Sequence, residues 1–366
     1  MRNIPLLLFA AFALAIGNAS IASAQFYEQR NLISDLPGVA AHLDGHVSNA
    51  WGLVSSPTSP WWIANNHDDT STLYNANTDT IPALVVSIPG GAPTGIVFNN
   101  SGGGFVVSKS RASGSSAFIF SSEAGVISGW NPGVPPPPPS MQAQVGITVP
   151  DAVYKGLAIA GAGANARLYA TNFHAGTIDV FDNAFHLVPM PAGAFADFDL
   201  PSGFAPFGIQ NIGGTLYVTY ALQDADKMDD VPGVGLGYVD QFDTSGNLLR
   251  RVASKGPLNA PWGLALAPDD FGVFSNMLLV GNFGDGRIHA YDANDSTGNG
   301  EAKMRGQMHG ANGQPLRIDG LWALQFGKGP GTGSGPSTTL YFTAGPDDES
   351  HGLFGSLTKA NPPGRN

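Results

Sequence analysis

The apolar positions of this chain fall in short runs, rich in β-branched and aromatic side chains and bounded by Gly, Asn, Asp or Pro. Trp61-Trp62-Ile63-Ala64, Leu168-Tyr169-Ala170, Leu216-Tyr217-Val218-Thr219 and Leu340-Tyr341-Phe342-Thr343 are representative. Runs this short, closed by turn formers, predict strands rather than helices. After residue 24 no stretch carries the apolar spacing of an amphipathic helix.

The runs recur as a module. Its fullest copy, Asn259 to Asp292, has a Pro-Trp-Gly-Leu-Ala lead-in, an apolar strand MLLVGNF, a Gly284-Asp285-Gly286 turn and a return strand ending in Asp292. The lead-in returns as Trp51-Gly52-Leu53, Thr94-Gly95-Ile96, Lys155-Gly156-Leu157, Phe207-Gly208-Ile209, Trp262-Gly263-Leu264 and Trp322-Ala323-Leu324. Spacings of 43 to 61 residues suit four short strands with loops and vary too much for a solenoid. The expected fold is all-β, a six-bladed β-propeller of four-stranded blades. In the second copy Gly104 to Val107 and Ala117 to Phe120 are the expected second and third strands. The sixth copy lacks an outer strand, whereas Phe26 to Asp35 resembles the segment Asn247 to Gly256 that leads into the fifth copy. The N-terminal strand is therefore expected to complete the last blade and close the ring, leaving no free edge. Trp51, Trp262 and Trp322, at equivalent positions, are expected to be buried near the channel.

The first 24 residues read as a signal peptide: Arg2, an apolar core from Leu6 to Ile16, and Ala22-Ser23-Ala24 before Gln25. That core is far short of the ~20 residues of a membrane span. Cleavage near Ala24/Gln25 would give a periplasmic or extracellular product, residues 25–366, forming one propeller domain. It also removes one positive charge, taking the formal net charge from -11 to -12. An acidic chain lacks the basic footprint that nucleic acid requires. Cysteine is absent, which removes disulfides and thiolate metal sites. No membrane span is expected, and the chain is expected to act as a monomer. Pro135 to Pro139 read as a stiff surface loop, about 131–140, and Gly327 to Ser337 as a flexible loop.

The chain resembles the NHL-type and regucalcin-type six-bladed propellers. More closely, Asn49 to Leu53, Gln223 to Lys227, Gly284 to Ile288 and Thr343 to Phe354 resemble a family of exported proteins of unassigned function. That resemblance implies a fold and an export route. Members often carry a C-terminal sorting tail, which does not follow Asn366 here, so surface anchoring is not implied.

Propeller topology sends the loop between each blade's second and third strands to one face, where polar residues concentrate. His67, Asp68, Asn172, His174, Asn282, Asp285 and His351 are the expected ligand-binding face, with Lys109 and Arg111 from the second copy. Asn and Asp also serve as turn formers at such positions. Asp224, Asp226 and Asp230, with Asp348, make an oxygen-rich set suited to a divalent cation such as calcium. DADKMDD lacks the Gly and distal Glu of an EF-hand, and no Gly-x-Ser-x-Gly, His-Glu-x-x-His or phosphate-cradling loop occurs. No catalytic residue is identified. Two readings follow: a binding or interaction scaffold taking a small ligand, glycan or protein at its mouth, or a divalent-metal hydrolase like the regucalcin and gluconolactonase type of lactonase.

Overall fold

The computed structural model describes residues 26–361, so the expected signal peptide lies outside the described residues. Six small sheets form the six-bladed propeller. Blade 1 comprises Ala50–Val54, Trp61–Asn65, Thr70–Tyr74 and Val86–Ser87, from the channel outward. Blade 2 comprises Pro93–Phe98, Phe118–Ser122, Val126–Trp130 and Gln144–Thr148. Blade 3 has Tyr154–Ala160, Arg167–Asn172 and Thr177–Phe181; its outer position holds an irregular segment bridged at Phe181 and Leu187. Blade 4 comprises Phe204–Ile212, Thr215–Leu222, Tyr238–Phe242 and Leu248–Ser254, and blade 5 Pro261–Leu266, Leu278–Asn282, Ile288–Ser296 and Ala302–Gln307. Blade 6 runs Leu321–Phe326, Leu340–Ala344, Leu353–Ala360 and then the N-terminal strand Phe26–Ser34. Among the described residues no helix is long and apolar enough to cross a membrane.

The second blade corrects the sequence reading. Its second strand is Phe118–Ser122, paired antiparallel with Pro93–Phe98. Val106–Lys109 pairs only with Ala112–Ser115, forming a separate two-stranded insertion. Alternating apolar residues look alike in an inserted hairpin and in a blade strand, so the pattern was assigned one strand too early. Lys109 and Arg111 consequently sit exposed at the hairpin tip, away from the loops between second and third strands. The true loop of blade 2 is Glu123 to Gly125.

The repeated glycine has a geometric cause. A Cβ on Gly52 would lie 2.3 Å from Thr94 O, one on Gly95 2.4 Å from Leu157 N, one on Gly208 2.2 Å from Trp262 O, and one on Gly263 2.4 Å from Trp322 O. In these blades the inner strand thus presses its backbone on the next, and glycine allows the approach; blade 6 carries Ala323 at this position. The ladder is bulged there, for example between Tyr154 and Gly156 and between Pro261 and Gly263. In four blades a hydroxyl on the second strand accepts the N–H freed by the bulge: Gly95 N donates to Ser121 Oγ (3.1 Å), Gly156 N to Thr171 Oγ1 (2.7 Å), Gly208 N to Thr219 Oγ1 (2.8 Å) and Ala323 N to Thr343 Oγ1 (3.1 Å). Thr171 Oγ1 also donates to Phe207 O at 2.7 Å, and Thr343 Oγ1 to Trp51 O, so the same hydroxyl ties its blade to the next.

The ring closes as expected. Phe26–Ser34 pairs antiparallel with Leu353–Ala360, Phe26 opposite Ala360 and Ser34 opposite Leu353. Tyr27 is fully buried and its hydroxyl donates to Phe271 O at 3.0 Å in blade 5. Beyond the strand, Asp35 accepts from Gly352 N and pairs with His351 Nδ1, both at 2.9 Å. Arg30 reaches Asp79 of blade 1 at 2.8 Å.

Pro136 to Pro139 are exposed between the third and outer strands of blade 2. The Gly/Ser/Pro-rich stretch of blade 6, expected to be flexible, is stitched in place. Gly329 N donates to Gly335 O (3.0 Å), Ala76 N of blade 1 donates to Gly333 O (2.7 Å), and Ser334 is fully buried. A Cβ on Gly333 would meet Pro60 N at 2.4 Å, so small residues here serve packing against blade 1 as much as chain freedom.

Candidate functional site

The first residue of each lead-in belongs to a ring around the channel: Trp51, Thr94, Lys155, Phe207, Trp262 and Trp322. Three indoles and a phenyl ring plug it. Trp51 and Trp322 stack at 3.8 Å between centroids, Trp262 stands edge-on to Trp322 at 5.9 Å, and Phe207 does the same at 5.9 Å. Phe283 stacks on Trp322 at 4.0 Å. The three tryptophans are buried, as expected from their repeated position.

Lys155 takes the position that tryptophan holds in blades 1, 5 and 6. Its side chain is 1% exposed, and its ammonium lies 5.2 Å from the Trp51 ring centroid and 5.9 Å from that of Phe173. A buried ammonium needs counter-charges. Lys155 Nζ donates to Glu123 Oε1 in the second-to-third loop of blade 2 and to Asp229 Oδ1, at 2.9 Å, in that of blade 4. Those carboxylates hold its pKa above the usual lysine value although burial alone would lower it.

A polar network continues across the mouth. Asn66 Nδ2 donates to Glu123 Oε2 (3.1 Å), Asn49 Nδ2 to Glu349 Oε2 (2.6 Å) and to Asn66 Oδ1 (3.3 Å), and Trp322 Nε1 to Asn49 Oδ1 (2.9 Å). The plug and the mouth are thereby one structure. Burial raises the Glu349 pKa, opposed by the Asn49 hydrogen bond and Lys155. Asp230 is more perturbed: its Oδ2 is buried without a hydrogen-bond partner, and burial pushes its pKa up to about 7, against Lys155 and with Glu349 and Asp229. Four carboxylates thus surround one ammonium.

Of the residues expected on this face, Asp230 belongs to the central cluster. The others lie in its surrounding loops and are engaged mainly within their own segments. Asp68 pairs with His46 at 2.8 Å and accepts from Thr70 Oγ1 at 2.8 Å, beside the exposed His67. Asn172 donates to Asp179 at 3.0 Å and its carbonyl oxygen caps Ala175 N. His174 keeps a buried Nδ1 without a partner. Asn282 donates to Asp285 Oδ1 at 3.0 Å and to Pro257 O at 2.8 Å. His351 is held by Asp35, at the ring seam.

The four acidic residues suggested for a cation do not form one set. Asp224 Oδ1 accepts Met228 N at 2.9 Å in a turn, and Asp226 and Asp348 are exposed. Among the described residues no three His, Asp or Glu side chains stand together as metal ligands. Between Glu123 and Asp229 the space a cation would take is filled by the Lys155 ammonium. These residues, so arranged, do not fit a divalent ion.

Sequence reading missed Lys155 as a functional residue, along with Glu123 and Asn49. The signal for Lys155 was present: a lysine stands where the lead-in otherwise carries Trp, Phe or Thr. Glu123 was hidden by the early strand assignment in blade 2.

No family model matches the chain. It is similar to uncharacterized protein L690 of Acanthamoeba polyphaga mimivirus, with 35% identity over 341 residues covering 90% of this chain and 84% of L690. Among solved structures, a Bacteroides thetaiotaomicron protein of unknown function matches with a TM-score of 0.56 at 10% identity, over 92% of this chain and 76% of that one. A streptogramin B lyase matches with a TM-score of 0.51 at 13% identity, over 93% of this chain and 100% of the lyase. At such identities the likeness is one of fold alone.

Proposed function

This chain belongs to the family of uncharacterised proteins that includes L690 of Acanthamoeba polyphaga mimivirus, and we propose that it is a binding scaffold whose acidic mouth takes a ligand carrying a positively charged group. The supporting observation is Asp230, whose buried Oδ2 lacks a partner and whose pKa is pushed up to about 7. A carboxyl group left in that state gains both a hydrogen bond and a counter-charge when an organic cation arrives. Glu349 and the outer oxygens of Asp229 enlarge the same acidic surface, and Lys155 already fills the deepest cation position.

Calorimetric titration at pH 7 with spermidine, arginine methyl ester and calcium tests this reading. An organic cation should bind with release of a proton from Asp230, and Asp230→Asn should weaken that binding at least about tenfold, the effect of losing a charge-assisted bond. Failure of both organic cations to bind overturns the proposal. Tight binding of calcium alone would instead favour the metal-hydrolase reading. We also propose that the protein is exported after cleavage near Ala24/Gln25. N-terminal sequencing of protein recovered from its native host checks this, and a mature chain beginning at Met1 would refute it.

A further inference from the structure

The channel has a second opening. The inner strands run from the acidic mouth to the far side, where Val54, Phe98, Ile159, Gln210 and Gln325 line a bowl of about 400 Å³. A narrow neck of about 30 Å³ leads from there up to Trp262, the underside of the aromatic plug. A bowl of this size is within the range of small-molecule sites, which are mostly apolar with a few polar groups that fix orientation.

Its wall follows that pattern. Ile96, Val97, Leu157 and Ile159 are buried apolar residues of two adjacent inner strands. Ser55, at the end of blade 1's inner strand, is 3% exposed and its Oγ has no hydrogen-bond partner. Leaving a buried hydroxyl unpaired costs free energy unless something supplies the bond. One charged residue lines the bowl, Lys328. It stands at the exposed rim, with no ion-pair partner among the described residues, and partial desolvation against the wall lowers its pKa from the usual lysine value.

The backbone at Lys328 is fixed from behind. Its backbone N donates to Ser334 Oγ at 3.2 Å, and Ser334 belongs to the stitched loop that packs on blade 1. The bowl therefore presents a lone positive charge beside an apolar wall, on a protein whose net charge is -11 and whose opposite mouth is acidic.

We propose that this bowl is a second binding site, taking a small amphipathic organic carboxylate whose apolar body lies on Ile96 and Leu157 and whose carboxylate pairs with Lys328. Ser55 supplies a further hydrogen bond near the base of the site. The site is independent of the cation-binding reading, because it uses other residues on the other face.

The test titrates the full chain with 4-phenylbutyrate, its uncharged amide and the corresponding amine. The carboxylate should bind roughly tenfold or more tightly than the amide, the discrimination expected of one charge-assisted pair, and the amine should not bind. Lys328→Met should bring the carboxylate down to the affinity of the amide without changing the melting temperature. Asn100→Trp, at an exposed rim position, should block both ligands, whereas Asp230→Asn should leave both unchanged. Equal affinity for carboxylate and amide, unchanged affinity in Lys328→Met, or no binding of the carboxylate overturns the proposal.

Discussion

Lys155 distinguishes a structural from a functional role at the scale of one residue. Its hydrogen-bonded partners, Glu123 and Asp229, have side chains 23% and 72% exposed, and Asp230 and Glu349 beside them have pKa values already raised by burial, so water or a proton can rescue all four if the lysine goes. The buried ammonium has no such recourse. Lys155→Met should therefore cost less than about 1 kcal/mol, whereas Glu123→Ala, which strips a counter-charge from a buried cation, should cost about 3 kcal/mol. Denaturant unfolding of the two variants measures this, and equal losses would refute the asymmetry. Asp230 and Asp240 give a pH dependence of defined sign. Burial raises both to about 7, in Asp240 against the opposing pull of Arg251. Between their usual value near 3.8 and 7 the folded state holds protons that the unfolded state has released, so stability falls as pH rises through that window and levels off above it. Asp79, Asp182 and Asp243, held below the usual carboxylate range by hydrogen bonds, contribute stability that is lost at still lower pH. Melting temperature should peak at about pH 4 to 5, and Asp230→Asn should flatten the decline toward pH 7. Buried His289, held down to about 4, opposes part of this decline, and a melting temperature that rises from pH 5 to 7 would show that the two carboxyl groups do not outweigh it.

At the scale of the element, the inner strand and its bulge determine what the sequence reveals. Gly208 is surrounded by the backbone of the next blade, with a hypothetical Cβ 2.2 Å from Trp262 O. Gly208→Ala should destabilise by about 1–3 kcal/mol through forced separation of blades 4 and 5, measurable as a lower urea midpoint; an unchanged midpoint would mean the blades part freely. The lead-in glycines were legible because this close contact recurs in five of the six blades, the sixth carrying Ala323 in its place. The hydroxyls of Ser121, Thr171, Thr219 and Thr343 recur equally, but their role appears only once the bulge is seen to free an N–H. The 106–115 hairpin was misread because a strand pattern carries no label for its partner. The second opening left almost no trace in the sequence: its wall is built from strand ends that look like any core, and Lys328 sits in a stretch whose composition suggests only a loop.

For the whole molecule, stability rests on the seam in blade 6. Phe26–Ser34 is the outer strand of that blade, and Tyr27, Arg30 and Asp35 fasten it to three other parts of the ring. Deleting Phe26 to Asp35 should lower the melting temperature by well over the ~2 °C that about 1 kcal/mol moves a domain larger than 250 residues. Calorimetry of the shortened chain checks this, and coincident melting with the intact chain would show that the seam carries no weight.

The seam also joins the earliest and latest parts of the described chain to be synthesised. Phe26–Ser34 emerges from the ribosome first among the strands, and its partner Leu353–Ala360 last. Until that last strand is made the first strand's long antiparallel mate is missing, and the two-residue parallel pairings with His42–Leu43 and His309–Gly310 leave the rest of its edge bare, open to mispairing or to a protease. A chain cut short anywhere before Leu353 never acquires that antiparallel mate. Blade 6 thus makes the native fold a check on completeness: a product without its last strand leaves the Phe26–Ser34 ladder open along most of its length, and the same hydrogen bonds that lock the finished ring are the ones it lacks.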